Sequence, residues 1–140
     1  MVSDIHANVS AFEAVLHAAK ANDVDALIIA GDLVGYYFNP KAVLQLVKSF
    51  EGSVYLVRGN HEEMLLKAKM CGDQSEEITA KYGPGIQIAL DQLTDSEVDW
   101  IVNLPHPLAI NDLNCSILLC HGSPFSIDEY VYPDGAIEDL

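Results

Sequence analysis

Ser53-Val54-Tyr55-Leu56-Val57-Arg58-Gly59-Asn60-His61-Glu62 reads as a β-strand that stops abruptly in a glycine. The continuous apolar run from Val54 to Val57 has the length and β-branched content of a buried strand. Gly59 lets the backbone turn sharply. Asn60 and His61, both able to hold a metal ion, are then presented at the carboxyl end of the strand. A polar turn after a strand says little by itself. Its meaning rests on whether other strands deliver compatible side chains to the same place.

Three other apolar runs do so. Met1-Val2-Ser3 looks like the end of a strand and is followed by Asp4 and His6. Ala26-Leu27-Ile28-Ile29-Ala30 ends in Gly31-Asp32, and the run 115–120 ends in His121. In open α/β sheets, ligands bind outside the carboxyl ends of the strands, so these groups are expected to converge. Carboxylates, an amide oxygen and imidazoles suit divalent Mn, Fe, Ni or Zn and not a soft thiolate site. Asp32, from the central run, is the natural carboxylate to bridge two ions. A lone aspartate after a strand is more often a turn or cap, and a lone histidine more often structural; four coincidences together read as a metal site.

Between the strands the apolar spacing becomes helical. Phe12, Val15, Leu16 and Ala19 form one stripe, with Ser10 and Glu13 fitting a capping box. Asn39-Pro40 marks a second helix start, with Val43, Leu46, Val47 and Phe50 as its buried face and Gly52 placed to end it. A third helix is expected from about Glu62 to Met70. The polar segment from Cys71 to Pro84 suggests a helical turn or two over 75–82, and Ile86, Ala89, Leu90 and Leu93 share a helical face. Thr94 and Glu97 repeat the capping box ahead of Val98, Ile101 and Val102. The runs 108–110 and 115–120, joined through 111–114, read as a hairpin. The order is that of an α/β domain spanning 1–140: a parallel sheet with crossover helices, then a second sheet that begins antiparallel.

Composition limits the partners. Seven Lys+Arg against 21 Asp+Glu give a formal charge of −14, which disfavours unassisted binding to nucleic-acid backbone or an anionic membrane. Metal cations would reverse that field locally and admit a small phosphorylated substrate. Apolar runs of about five residues fall far short of the ~20 that a membrane helix needs. With no signal peptide legible at the start, a cytoplasmic protein is expected. Cys71, Cys115 and Cys120 are odd in number and without metal-type spacing, as in a reducing compartment, and Cys115 and Cys120 read as small core residues. His17 and His106 read as structural or surface residues. Arg58 could meet a phosphate or pair with a surface acid. Asn8 could touch substrate or cap the first helix. Glu62 could orient His61 or favour the N-terminus of its helix.

As a set, Asp4-x-His6, Gly31-Asp32, Gly59-Asn60-His61-Glu62 and His121-Gly122 resemble the calcineurin-like metallophosphoesterase superfamily, closest to its small prokaryotic phosphodiesterase and phosphatase branch. The resemblance implies a two-sheet β-sandwich flanked by helices, with two divalent cations at one edge. It implies that Asp4 and His6 hold the first ion, Asp32 bridges, and Asn60 and His121 hold the second. His61 would stabilise the transferring phosphoryl group or protonate the leaving oxygen. A hydroxide shared by the two metals would then hydrolyse a phosphomonoester or phosphodiester. Two features depart from the pattern: only Met1 and Val2 precede Ser3-Asp4, and no histidine follows His121, so the family's late Gly-His-x-His motif is missing and the second sheet is expected to be incomplete. The alternative expectation is a non-catalytic binding or scaffold domain of the same fold, with homo-oligomerisation left open.

Overall fold

The computed structural model describes residues 1–70, 74–111 and 115–132. It runs α1 (Val9–Ala21), β1 (Ala26–Ala30), α2 (Pro40–Ser49), β2 (Ser53–Val57) and α3 (Asn60–Met70). There follow α4 (Gln74–Tyr82), α5 (Gly85–Gln92), α6 (Asp95–Val102), β3 (Leu108–Ile110) and β4 (Ile117–Leu119). β1 and β2 pair in parallel with Ile28 opposite Tyr55 and Ile29 opposite Leu56. β3 and β4 pair antiparallel, Leu108 opposite Leu119.

Alternation along the two parallel strands separates two cores. Leu27, Ile29, Val54 and Leu56 face the helices, where they join Phe12, Val43, Leu44, Leu65, Ile86 and Ile101. Ile28, Ala30, Tyr55 and Val57 face the opposite way, onto Ile110 and Leu119 of the short second sheet. A strand shows successive side chains to opposite faces, so one five-residue strand serves both layers. The result is an α/β architecture in which two small sheets are stacked with helices on one side. α3 is central on that side, packed against α4, α5 and α6.

Several boundaries differ from the sequence expectations. The anticipated first strand is reduced to one bridge, Val2 to Ile29. The chain turns at Asp4, whose φ is +56°, and pairing ends there. The α1 cap is Asn8, whose Oδ1 accepts from the Ala11 amide at 3.1 Å, and not Ser10, which lies inside the helix. α2 ends at Ser49 with Phe50 extended as its cap, ahead of Gly52. The turn or two expected over 75–82 is the nine-residue α4. The α6 capping box forms as expected, with Thr94 and Glu97 each accepting from the other's backbone amide. Cys115 is exposed and not a core residue, because β4 begins only at Ile117; Cys120 is half-buried. Cys71 and most of the 111–114 connection lie outside the described residues. No helix among the described residues is long and apolar enough to cross a membrane.

Candidate metal centre

The strand-end side chains converge as the sequence leads one to expect. The loop after the Val2 bridge carries Asp4 and His6, the loop after β1 carries Asp32, the start of α3 carries Asn60 and His61, and the residue just beyond β4 is His121. Asp32, almost fully buried, sits between two imidazoles: its Oδ2 is 3.7 Å from Nε2 of both His6 and His121. Asp4 Oδ1 lies 3.6 Å from His6 Nε2, and Asn60 Oδ1 lies 3.0 Å from His121 Nε2. Among the described residues, His6, Asp32 and His61 form one potential ligand group, and Asp4, Asp32 and His121 a second. Asp32 belongs to both.

The hydrogen bonds fix which nitrogen faces the site. His6 Nδ1 is 3.0 Å from the Val34 carbonyl and His121 Nδ1 is 2.8 Å from that of Ala30. A carbonyl only accepts, so each Nδ1 carries the hydrogen and donates it, turning Nε2 inward. Each Nε2 then confronts carboxylate or amide oxygens. A space lined by acceptors on every side is satisfied by a cation, and a backbone-anchored imidazole is the usual support of a metal ligand. The donor set therefore fits divalent ions of borderline or hard character.

The loops that carry these groups are wound into uncommon conformations. Asp4, His6, Ala7, Asp32 and Tyr36 all have φ between +48° and +59°. Non-glycine residues in this region cost of order 1–3 kcal/mol each and persist only where the surroundings over-determine them. Here the loops bind one another: the Asp4 amide donates to the Gly31 carbonyl at 3.2 Å, His6 to Asp32 at 2.9 Å and Ala7 to Leu33 at 2.7 Å. Glu62 does the rest. Fully buried in the first turn of α3, its Oε2 accepts from the amides of Asp32 at 2.9 Å and Gly59 at 2.6 Å. Its Oε1 accepts from those of Leu33 at 2.8 Å and Val34 at 3.2 Å. The His61 amide closes the set on Asp32 Oδ1 at 3.0 Å. Gly59 and Gly35 are obligatory: a Cβ at the first would strike Asp32 Oδ1, and at the second His61 Nδ1.

Crowding of charge shows in the acidities. Burial pushes the Asp32 carboxyl up from 3.8 to about 6, with Asp4 and Asp128 adding and the His61 amide and His121 opposing. Burial likewise raises Glu62 from 4.5 to about 7, the neighbouring Asp32 adding to it and its backbone hydrogen bonds working the other way. Burial lowers His61 from 6.5 to about 4, with the His6 and His121 charges in support. A neutral His61 has Nδ1 sealed and unpartnered against Gly35, which leaves Nε2 for the cavity.

The remaining expected residues lie elsewhere. Asn8 is occupied as the α1 cap. Arg58 pairs with Glu63 at 3.6 Å and reaches the Val102 carbonyl at 3.4 Å, and it does not line the cavity that holds the ligand set. His17 is exposed, and His106 Nε2 supports the His121 carbonyl at 2.7 Å. Sequence reasoning, which looks for selectivity in loops such as 36–39 and 123–130, did not single out the rings that flank the histidines. Tyr36 packs against His6 at 4.6 Å and His61 at 4.8 Å, and Tyr82 against His61 at 5.6 Å. Their only sequence signal was the position of Tyr36 in the loop after Asp32.

A family model for calcineurin-like phosphoesterases matches residues 1–139. The chain belongs to that family. As a calcineurin-like phosphoesterase it is 28% identical over 137 residues to the uncharacterized protein MJ0912 of Methanocaldococcus jannaschii, covering 96% of this chain and 54% of that protein. Its fold is similar to that of the hypothetical protein PH1004 from Pyrococcus horikoshii, with a TM-score of 0.80 at 19% identity over 97% of this chain and 61% of the other. It is also similar to a metallophosphoesterase from Sphaerobacter thermophilus, with a TM-score of 0.63 at 28% identity over 94% and 49%. The chain thus spans about half the length of the Methanocaldococcus and Sphaerobacter relatives.

Proposed function

We propose that the chain hydrolyses a small phosphomonoester or phosphodiester with the help of two divalent cations, His6 and Asp4 serving one, Asn60 and His121 the other, and Asp32 both. The observation that carries this reading is Asp32 Oδ2 placed equally, at 3.7 Å, from two inward-turned imidazole nitrogens. When bound, such cations supply Lewis-acid polarisation of the phosphoryl group and an acidified water. In the reaction the water oxygen joins phosphorus, the ester P–O bond breaks, and the alcohol leaves with a proton.

The protein's own groups set the geometry. Glu62 and the paired loops keep the ligands fixed before substrate arrives, so little reorganisation remains at the moment of reaction. With its pKa lowered by burial to about 4, His61 is neutral at pH 7. It acts there as a hydrogen-bond donor from Nε2 to a phosphoryl oxygen and not as a reservoir of a proton. Manganese is the ion to test first, with a cytoplasmic setting assumed. Hydrolysis of bis-p-nitrophenyl phosphate and p-nitrophenyl phosphate in Mn²⁺, compared with EDTA, tests the proposal. Asp32→Asn and His61→Ala are each expected to lower kcat by about 10²-fold or more. Turnover indifferent to Asp32→Asn would overturn it.

A further inference from the structure

Beside the ligand set, the same cavity of about 630 Å³ has a second wall that the phosphate chemistry does not use, made by Tyr36, Tyr82 and Lys81. Resting on the hydrolase reading above, we propose that this wall is a subsite for a planar aromatic group carried by the phosphoester, as in a nucleoside or aryl phosphate.

Three observations carry it. Tyr36 is 45% exposed although it abuts both His6 and His61, so part of the ring is open to the cavity directly beside the phosphoryl position. It is held there against its own backbone preference, at φ +49°, and its amide lies so close to the start of α5 that a Cβ on Gly85 would collide with it. An over-determined, strained residue displaying a half-open ring at a reactive centre points to use by a ligand. Tyr82 extends the surface, its ring 6.4 Å from Tyr36 and set edge-on to it. Lys81, with Nζ 4.9 Å from the Tyr82 ring centre, is the only lysine or arginine among the described residues lining the cavity. It stands against Asp4, Asp32, Asp128 and Glu129 in the same lining and so supplies the positive contact for an anionic ester on the aromatic side. Stacking on such a ring tolerates any planar group, since every base or aryl ring has a π-face.

Binding separates this subsite from catalysis. Phenylphosphonate and methylphosphonate, titrated calorimetrically into the Mn²⁺-loaded chain, present the same phosphoryl oxygens with and without a ring, on a P–C bond that is not hydrolysed during the titration. Phenylphosphonate is expected to bind about five- to tenfold more tightly. That ratio should survive Tyr36→Phe and fall below about twofold in Tyr36→Leu, which keeps apolar bulk without a ring. A displaced ligand set would weaken both phosphonates together and leave the ratio intact. Equal binding by the unsubstituted chain, binding of neither phosphonate, or a ratio that persists in both Tyr36→Leu and Tyr82→Leu would overturn the subsite. Hydrolysis of bis-p-nitrophenyl phosphate without a ring preference would sink the subsite and leave the hydrolase reading standing. Ring preference without hydrolysis would do the reverse.

Discussion

Replacing Glu62 by glutamine removes no atom from the packing, yet it should be among the most damaging changes in the chain. Each carboxylate oxygen accepts two amides, Oε1 from Leu33 and Val34, Oε2 from Asp32 and Gly59. Glutamine keeps one oxygen and turns the other into an NH₂ group, which faces two amides that also donate. Two buried N–H groups lose their partner at about 1–3 kcal/mol each. Relief of the repulsion between Glu62 and Asp32 works in the opposite direction. It is the smaller effect, because Asp32 is only one of the causes that push the Glu62 carboxyl up to about 7, burial being the larger. The net loss is about 3 kcal/mol, a large share of the roughly 5–15 kcal/mol that stabilises a typical domain. With a urea dependence of about 1–3 kcal/mol per molar, the unfolding midpoint should fall by about 1.5 M. Amide exchange supplies the local signature: protection of Asp32, Leu33, Val34 and Gly59 should drop more than that of Leu27 or Leu56. A midpoint shift under about 0.5 M, or uniform loss of protection, would refute the assignment of Glu62 as the clamp of the ligand loops.

Gly35→Ala places a methyl group against the His61 ring at a φ of +93° and should cost about 2 kcal/mol or more, with hydrolysis falling further than stability; urea unfolding and kcat measured together check it. Without metal, thermal stability should decline between about pH 5 and 7. Folded Asp32 and Glu62 hold protons up to about 6 and 7, whereas unfolded carboxyls release them near 4, so the folded state binds more protons across that window. His61, lowered to about 4, opposes this below about pH 6.5 but is one group against two. Differential scanning calorimetry should therefore give a lower Tm at pH 7.5 than at pH 5. Added Mn²⁺ should raise Tm more at pH 7.5, because the ion competes with protons for Asp32. His106→Ala deletes the 2.7 Å bond to the His121 carbonyl and should cost about 1 kcal/mol in chemical denaturation.

The strand-end logic was legible because it depends on local pattern: β1 and β2 are apolar runs that stop in Gly31-Asp32 and Gly59-Asn60-His61, and hydrophobic periodicity with turn residues specifies both. The β3–β4 hairpin and the α6 capping box were visible for the same reason. What escaped notice depends on distance along the chain. The bonds from Glu62 to residues 32–34 span 28 to 30 positions, and no local signal distinguishes that glutamate from an ordinary first-turn acid. The positive φ values at Asp4, His6 and Asp32 are imposed by neighbouring loops and run against the residues' own preferences. Asn8 looked better suited to capping a helix than to touching substrate, whereas Arg58 looked equally suited to a phosphate and to a surface ion pair. The geometry spends the first on a helix cap and turns the second toward Glu63 and the end of α6.

β3 and β4 are three residues each, and their buried contribution to the second core is Ile110 and Leu119 against Val57. So small a ribbon is only marginally stable by itself, and its opening is expected to be the easiest local fluctuation in the molecule. Yet His121 sits at its end and reaches across to Ala30 and Asn60 on the first sheet. If His121 holds a cation as proposed, ion capture and ribbon closure are one equilibrium. Each transient undocking would then remove a ligand, and the apparent affinity for the cation would scale with the fraction of time the ribbon is seated. In return, a cation held by Asp32 and His121 would latch the two layers together.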